Sequence, residues 1–171
     1  PVMGVHTGPG RVFLDGFTQQ YNIPLLKIEN VNDGEVIETI KKYDIDWLLI
    51  IGWSQIARPE LLNAPNLGCL GMHPTLLPEG RGRAAVPWAI LKGLDQTGVT
   101  LFQMDEGVDT GGIIGQGIIP LDKKITATDL YQKVNDMHVE LLAKYWADIE
   151  NNTLVTSVQD EALATIWPGR K

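Results

Sequence analysis

A chain of 171 residues, 44% hydrophobic and 20% charged, has the length and composition of one globular domain with a substantial core. Its formal net charge of -7 argues against a nucleic-acid backbone as the main partner, because phosphate binding needs clustered Lys and Arg. The single cysteine, Cys69, excludes an internal disulfide framework and fits a reducing, cytoplasmic setting; no apolar run approaches the ~20 residues that span a bilayer, so no membrane partner is expected.

Residues 2–5 read as a short buried strand leading into the loop His6-Thr7-Gly8-Pro9-Gly10, which has turn punctuation but no P-loop pattern. Residues 13–21 carry a weak helical period and residues 23–26 a short extended piece. Asn32 and Asp33 precede a helix in which Val36, Ile37, Ile40 and Tyr43 share a face. Glu35 at its start and Lys41-Lys42 near its end suit the helix dipole. The apolar run at residues 46–52 predicts a central parallel strand buried on both faces.

A loop and short helix follow over residues 54–62, then a buried strand over 67–72. Residues 73–83 form a loop dense in Pro, Gly and Arg, and residues 84–93 a helix closed by Gly93. Strands are predicted at 99–104 and 113–121, separated by a loop at 105–112. Thr126 or Thr128 caps a long helix reaching about residue 149, and a final strand is expected at 155–158. This alternation predicts an α/β fold with an open, mostly parallel sheet flanked by helices, in one domain over residues 1–171.

Ligands of open parallel sheets bind at the carboxyl ends of the strands. Residues 53–57, 73–83 and 105–112 are the loops expected at that edge. Pro74 holds His73 extended at the end of a buried strand, well placed to move a proton or to donate to a developing oxyanion. Asp109, in the glycine-rich loop after another strand, could orient that ring; alone, it would also suit an Asx-turn. His138 and Cys69 read as packing residues, as do Trp53 and Trp88. His6 follows a strand and could approach an acceptor site. No His, Cys or Asp cluster has metal-ligand spacing, so no metal is expected. No GxGxxG fingerprint supports a nicotinamide dehydrogenase.

The stretch from His73 to Ile114, HPTLLPEGRGRAAVPWAILKGLDQTGVTLFQMDEGVDTGGII, resembles the folate-dependent formyltransferases, which include glycinamide ribonucleotide, methionyl-tRNA and amino-sugar enzymes. The matching parts are residues 73–78, Arg81-Gly82, the helix to Gly93, Gly98-Val99-Thr100 and Asp109-Thr110-Gly111. His73 and Asp109 lie 36 residues apart, the family interval. The resemblance extends more loosely over residues 46–149.

It implies a Rossmann-like domain with 10-formyltetrahydrofolate as formyl donor. An amine would attack the formyl carbon, a tetrahedral intermediate would form and tetrahydrofolate would leave. His73 would stabilise the oxyanion and shuttle a proton, and Asp109 would tune His73 and hold a relay water. The pterin pocket would use Ser54, Gln55, Ile56 and Ala57 on one side and Asp105, Glu106, Gly107 and Val108 on the other.

Two departures stand out. The family usually has Asn two residues before the histidine, as a donor to the formyl oxygen, where this chain has Gly71. Arg81, Arg83 or a backbone N–H would then take over part of that role, and both arginines are expected at the acceptor substrate, with His6. The family's first strand and helix are also unmatched, which predicts an N-terminally incomplete catalytic domain.

The acceptor expected is a small amine, foremost a nucleotide-linked amino sugar. The alternatives are a methionyl-tRNA formyltransferase, a formyltetrahydrofolate hydrolase core, or a non-catalytic truncated relative acting as a binding module. The sequence leaves homo-oligomer formation open.

Overall fold

The structure is a computed structural model and describes residues 2–4, 13–53 and 55–170. In chain order the elements are β1 (Val2–Gly4), α1 (Asp15–Gln20), β2 (Leu25–Lys27), α2 (Gly34–Lys42), β3 (Trp47–Ile51), α3 (Pro59–Leu62) and β4 (Gly68–His73). They continue as β5 (Arg81–Gly82), α4 (Ala85–Leu91), β6 (Gln96–Gln103), β7 (Ile113–Pro120), α5 (Ala127–Glu150) and β8 (Ile166–Trp167), with one 3-10 turn at Glu161–Leu163.

The principal sheet has the order β3-β4-β6-β7, and β1-β2 and β5-β8 form two short pairs. Three of the five strand pairs are parallel: β1 with β2, β3 with β4, and β5 with β8. The other two, β4 with β6 and β6 with β7, are antiparallel. The α/β class and the mostly parallel, helix-flanked strands therefore follow the sequence, while within the four-stranded sheet the pairs that involve β6 are antiparallel. β3, predicted at the centre, lies at one side of the four-stranded sheet and is half-buried along its whole length.

Alternation along the strands divides the core in two. Leu70 and Met72 of β4 face a cluster built with Val86, Ala89, Val99, Leu101 and the buried stripe of α5. Cys69 faces the other cluster, with Val36, Ile40, Leu61 and Leu62 of the helices α2 and α3. In β3, Leu49 and Ile51 join the first cluster and Leu48 and Ile50 the second. Helix α5 lies so close to β7 that a Cβ at Gly115 or Gly117 would overlap Tyr145 or Met137.

The strand predicted at 155–158 is reduced to one bridge, between Ser157 and Ile113. Val155 and Val158 are 81% and 95% exposed, because the chain only crosses the start of β7 there. It continues to β8, which runs beside the two-residue strand β5.

Candidate active site

β4 delivers His73 to the site, and the residue is 8% exposed. Its Nε2 lies 2.8 Å from the Gly80 carbonyl oxygen. A carbonyl only accepts, so this contact places the proton of the neutral ring on Nε2. Nδ1 is then the ring position with a free lone pair, and it faces Asp109 Oδ2 at 3.5 Å. That separation exceeds an ordinary hydrogen bond but closes into an ion pair when Nδ1 takes a proton. The carboxylate is held independently, since Gly82 N–H donates to Asp109 Oδ2 at 2.8 Å.

The loop after His73 is locked from below by Thr100, which lies opposite His73 in the β4-β6 register. Thr100 Oγ1 donates to the Thr75 carbonyl at 2.7 Å and accepts from Leu77 N–H at 3.1 Å. Gln116 Nε2 donates to both Thr100 Oγ1 and the Leu77 carbonyl, each at 2.8 Å. Buried backbone groups that would otherwise be orphaned are thereby satisfied.

The loop of Asp109 arrives differently from the sequence expectation. β6 runs antiparallel to β4, with Gln103 opposite Leu70, so residues 105–112 leave β6 beside the start of β4. They reach His73 by folding back across the sheet. The return depends on a left-handed residue at Asp109 itself, φ 56°, a conformation Asp tolerates better than most side chains. Asp105 Oδ1 stiffens the turn by accepting from Gly107 N–H at 3.1 Å and Thr110 Oγ1 at 2.6 Å.

Arg81, expected at the acceptor substrate, is engaged within the chain. Its buried guanidinium donates through Nε and Nη2 to Gln159 Oε1 at 3.1 and 2.8 Å. Nη1 and Nη2 also donate to the Glu161 carboxylate at 2.9 and 2.6 Å. These bonds hold the Glu161 carboxyl below its ordinary range and raise the Arg81 value. The side chain is a tether for the last part of the chain, with most of its donors spent. Arg83 remains exposed. The Gly82 N–H is spent on Asp109, so neither it nor Arg81 is free to replace the missing Asn.

Of the predicted pterin loop, Gln55 staples residues 29–31: its Oε1 accepts from Val31 N–H and its Nε2 donates to the Glu29 carbonyl, both at 2.8 Å. Ala57 is buried in the second cluster, and Ile56 is exposed at the loop surface. Asp105, Glu106, Gly107 and Val108 are exposed. Trp53 and Met104, at the roots of the two loops, pack against the same cluster. His6 and Ser54 lie outside the described residues. Gln116 and Gln159, both in contact with the site loops, are not singled out by any sequence pattern, and Thr100 enters only as the last residue of the Gly98-Val99-Thr100 match. His138, on α5, stands apart from the site; burial lowers its basicity and its Nε2 has no partner.

Residues 16–145 match the family described as formyl transferase. Methionyl-tRNA formyltransferase of Lachnospira eligens is 32% identical over 145 residues, covering 85% of this chain and 46% of that protein. The chain thus spans about half the length of the curated relatives it matches. WlaRD, a sugar 3N-formyl transferase solved in the presence of dTDP and 5-N-formyl-THF, superposes with a TM-score of 0.77 at 22% identity, over 99% of this chain and 59% of that one. Phosphoribosylglycinamide formyltransferase from Bacillus halodurans gives a TM-score of 0.67 at 27% identity, over 79% and 73%. The matched interval contains both His73 and Asp109, and on this match the chain belongs to the formyl transferase family.

Proposed function

We propose that this chain holds the catalytic site of an N-formyltransferase that moves a formyl group from 10-formyltetrahydrofolate to the amine of a small acceptor, a nucleotide-linked amino sugar. The observation that carries the reading is the pair of buried His73 and half-buried Asp109, fixed between the Gly80 carbonyl and the Gly82 N–H in a chain of this family. 10-Formyltetrahydrofolate supplies the activated formyl carbon. His73 Nδ1 takes the proton that the attacking amine must lose, and the adjacent carboxylate stabilises the resulting imidazolium. With Gly71 lacking a side chain, Arg81 engaged elsewhere and both ring nitrogens of His73 facing partners, the exposed Arg83 is the charged candidate left as donor to the developing oxyanion. The exposed Ile56 and Val108 sit among loop backbone groups and suit a flat heterocycle, which supports folate binding by residues 54–57 and 105–108.

The net charge of -7 favours the small acceptor over tRNA. The identity to methionyl-tRNA formyltransferase favours the second reading, in which methionyl-tRNA is formylated.

Mass spectrometry of products from 10-formyltetrahydrofolate with an amino-sugar nucleotide, with methionyl-tRNA, or with buffer alone separates these readings. The expected result is a formylated sugar, with turnover reduced about 10²- to 10⁴-fold in His73→Ala. Formylation of tRNA alone would establish the second reading, and formate release without acceptor would establish a hydrolase. No turnover together with no binding of 5-formyltetrahydrofolate would overturn the proposal.

A further inference from the structure

Beyond the interval that matches the family, the chain turns back after α5 and lays residues 157–168 across the site loops. Thr165 Oγ1 accepts from Gly80 N–H at 2.8 Å, the Thr165 carbonyl accepts from Arg81 N–H at 2.9 Å, and the Trp167 carbonyl accepts from Arg83 N–H at 3.1 Å. These contacts hold the loop of His73. Gln159 alone of this segment's side chains bonds to both loops. Its Oε1 receives two bonds from Arg81, while its Nε2 donates to the Asp109 carbonyl at 2.9 Å and the Gly111 carbonyl at 2.8 Å. The side chain is buried, and both ends of the amide are satisfied.

The direction of the Asp109 carboxylate follows from its backbone, and that backbone is in the left-handed region. Two carbonyls of one turn converging on a single NH2 group fix the turn. We propose that Gln159 is a positioning residue for formyl transfer: it holds Asp109 in the conformation that sets Oδ2 on Gly82 N–H and 3.5 Å from His73 Nδ1. The role in turnover rests on the function proposed above. The mechanical role does not, since it is a statement about the His73–Asp109 pair.

Gln159→Glu tests this with little change of shape. It keeps an acceptor for Arg81 and removes both donors to the Asp109 turn. Glu161→Gln is the comparison, because it loosens Arg81 and leaves the Gln159 amide in place. The expected result for Gln159→Glu is a kcat about 10- to 100-fold lower, with KM for donor and amine moved less than about threefold. The ¹⁵N resonances of the His73 ring should shift towards those of Asp109→Asn. Glu161→Gln should keep kcat within about threefold and leave those resonances in place.

An unchanged kcat and unchanged ring resonances in folded Gln159→Glu would overturn the proposal. So would equal losses in both variants, which would make the segment an anchor and nothing more. If Gln159→Glu does not fold, Gln159→Met, similar in length and uncharged, is read in the same way; failure of both to fold would also overturn it. If the unsubstituted protein forms no formylated product, the proposed function fails while the ring resonances still decide the role of Gln159.

Discussion

Gly71 lies two residues before His73 on the same face of β4, and Phe102 faces it across the register. A Cβ at Gly71 would lie 3.0 Å from two ring atoms of Phe102 and from Met104 Cγ. The space of the family's usual Asn is therefore filled from the neighbouring strand. Gly71→Asn should crowd a packed site and cost about 1–3 kcal/mol, read as a lower melting temperature with no gain in kcat. A rise in kcat would show instead that the site accepts the extra donor. His73 and Asp109 are legible in sequence because each sits in a short ordered string whose spacing carries meaning. Gln159 is not, since its partners are 50 and 78 residues away and nothing around it repeats. Arg81 is visible as a charge in a glycine-rich loop, but its partner Glu161 lies 80 residues on, so its engagement within the chain is a fold-level contact that the sequence does not show.

At the scale of elements, apolar runs locate β3, β4, β6 and β7 well, while the sense of pairing depends on a partner that the run does not encode. β6 is read from its apolar run as a strand carrying its following loop to the carboxyl edge; only the register with β4 shows the loop returning across the sheet. Helix α5 is the opposite case, because its cap is local. Thr126 and Asp129 form a reciprocal capping box: Thr126 Oγ1 accepts from Asp129 N–H at 3.2 Å and Asp129 Oδ2 accepts from Thr126 N–H at 3.3 Å. The Thr126 hydroxyl, which donates to Asp129 Oδ2 at 2.6 Å, and then the Thr126 N–H lower the Asp129 carboxyl's affinity for protons, and the capping box decides between the two candidate caps, Thr126 and Thr128. Thr126→Ala should cost about 1 kcal/mol, measured by urea denaturation. The same substitution at Thr128 should fall within about 0.5 kcal/mol of the unsubstituted protein. Because α5 packs on Gly115 and Gly117 of β7, loosening its start acts on the sheet that carries the site.

The two core clusters share β4 and β3, so the molecule should open as one unit rather than shed the layer of α2 and α3. Cys69 reports on this directly. It lies in β4, facing the second cluster, its Sγ is 3.6 Å from the Leu62 carbonyl, and burial pushes its pKa from 9.0 up to about 12. A thiol reagent at pH 8 should label it only through opening, at a rate whose denaturant dependence matches global unfolding. Fast labelling with a weak denaturant dependence would mean that α2 and α3 detach by themselves. The same shift sets a pH window. Below pH 9.0 both folded and unfolded chains hold the thiol proton, and Cys69 adds no pH dependence. Between pH 9.0 and about 12 the unfolded chain releases that proton and the folded chain keeps it, so stability falls as pH rises. The contribution approaches about 1.4 kcal/mol per pH unit, and Cys69→Ala should remove it, leaving a flatter stability profile above pH 9.0. An unchanged profile in that variant would place Cys69 in contact with water in the native state, and the two-cluster core would then be open at β4.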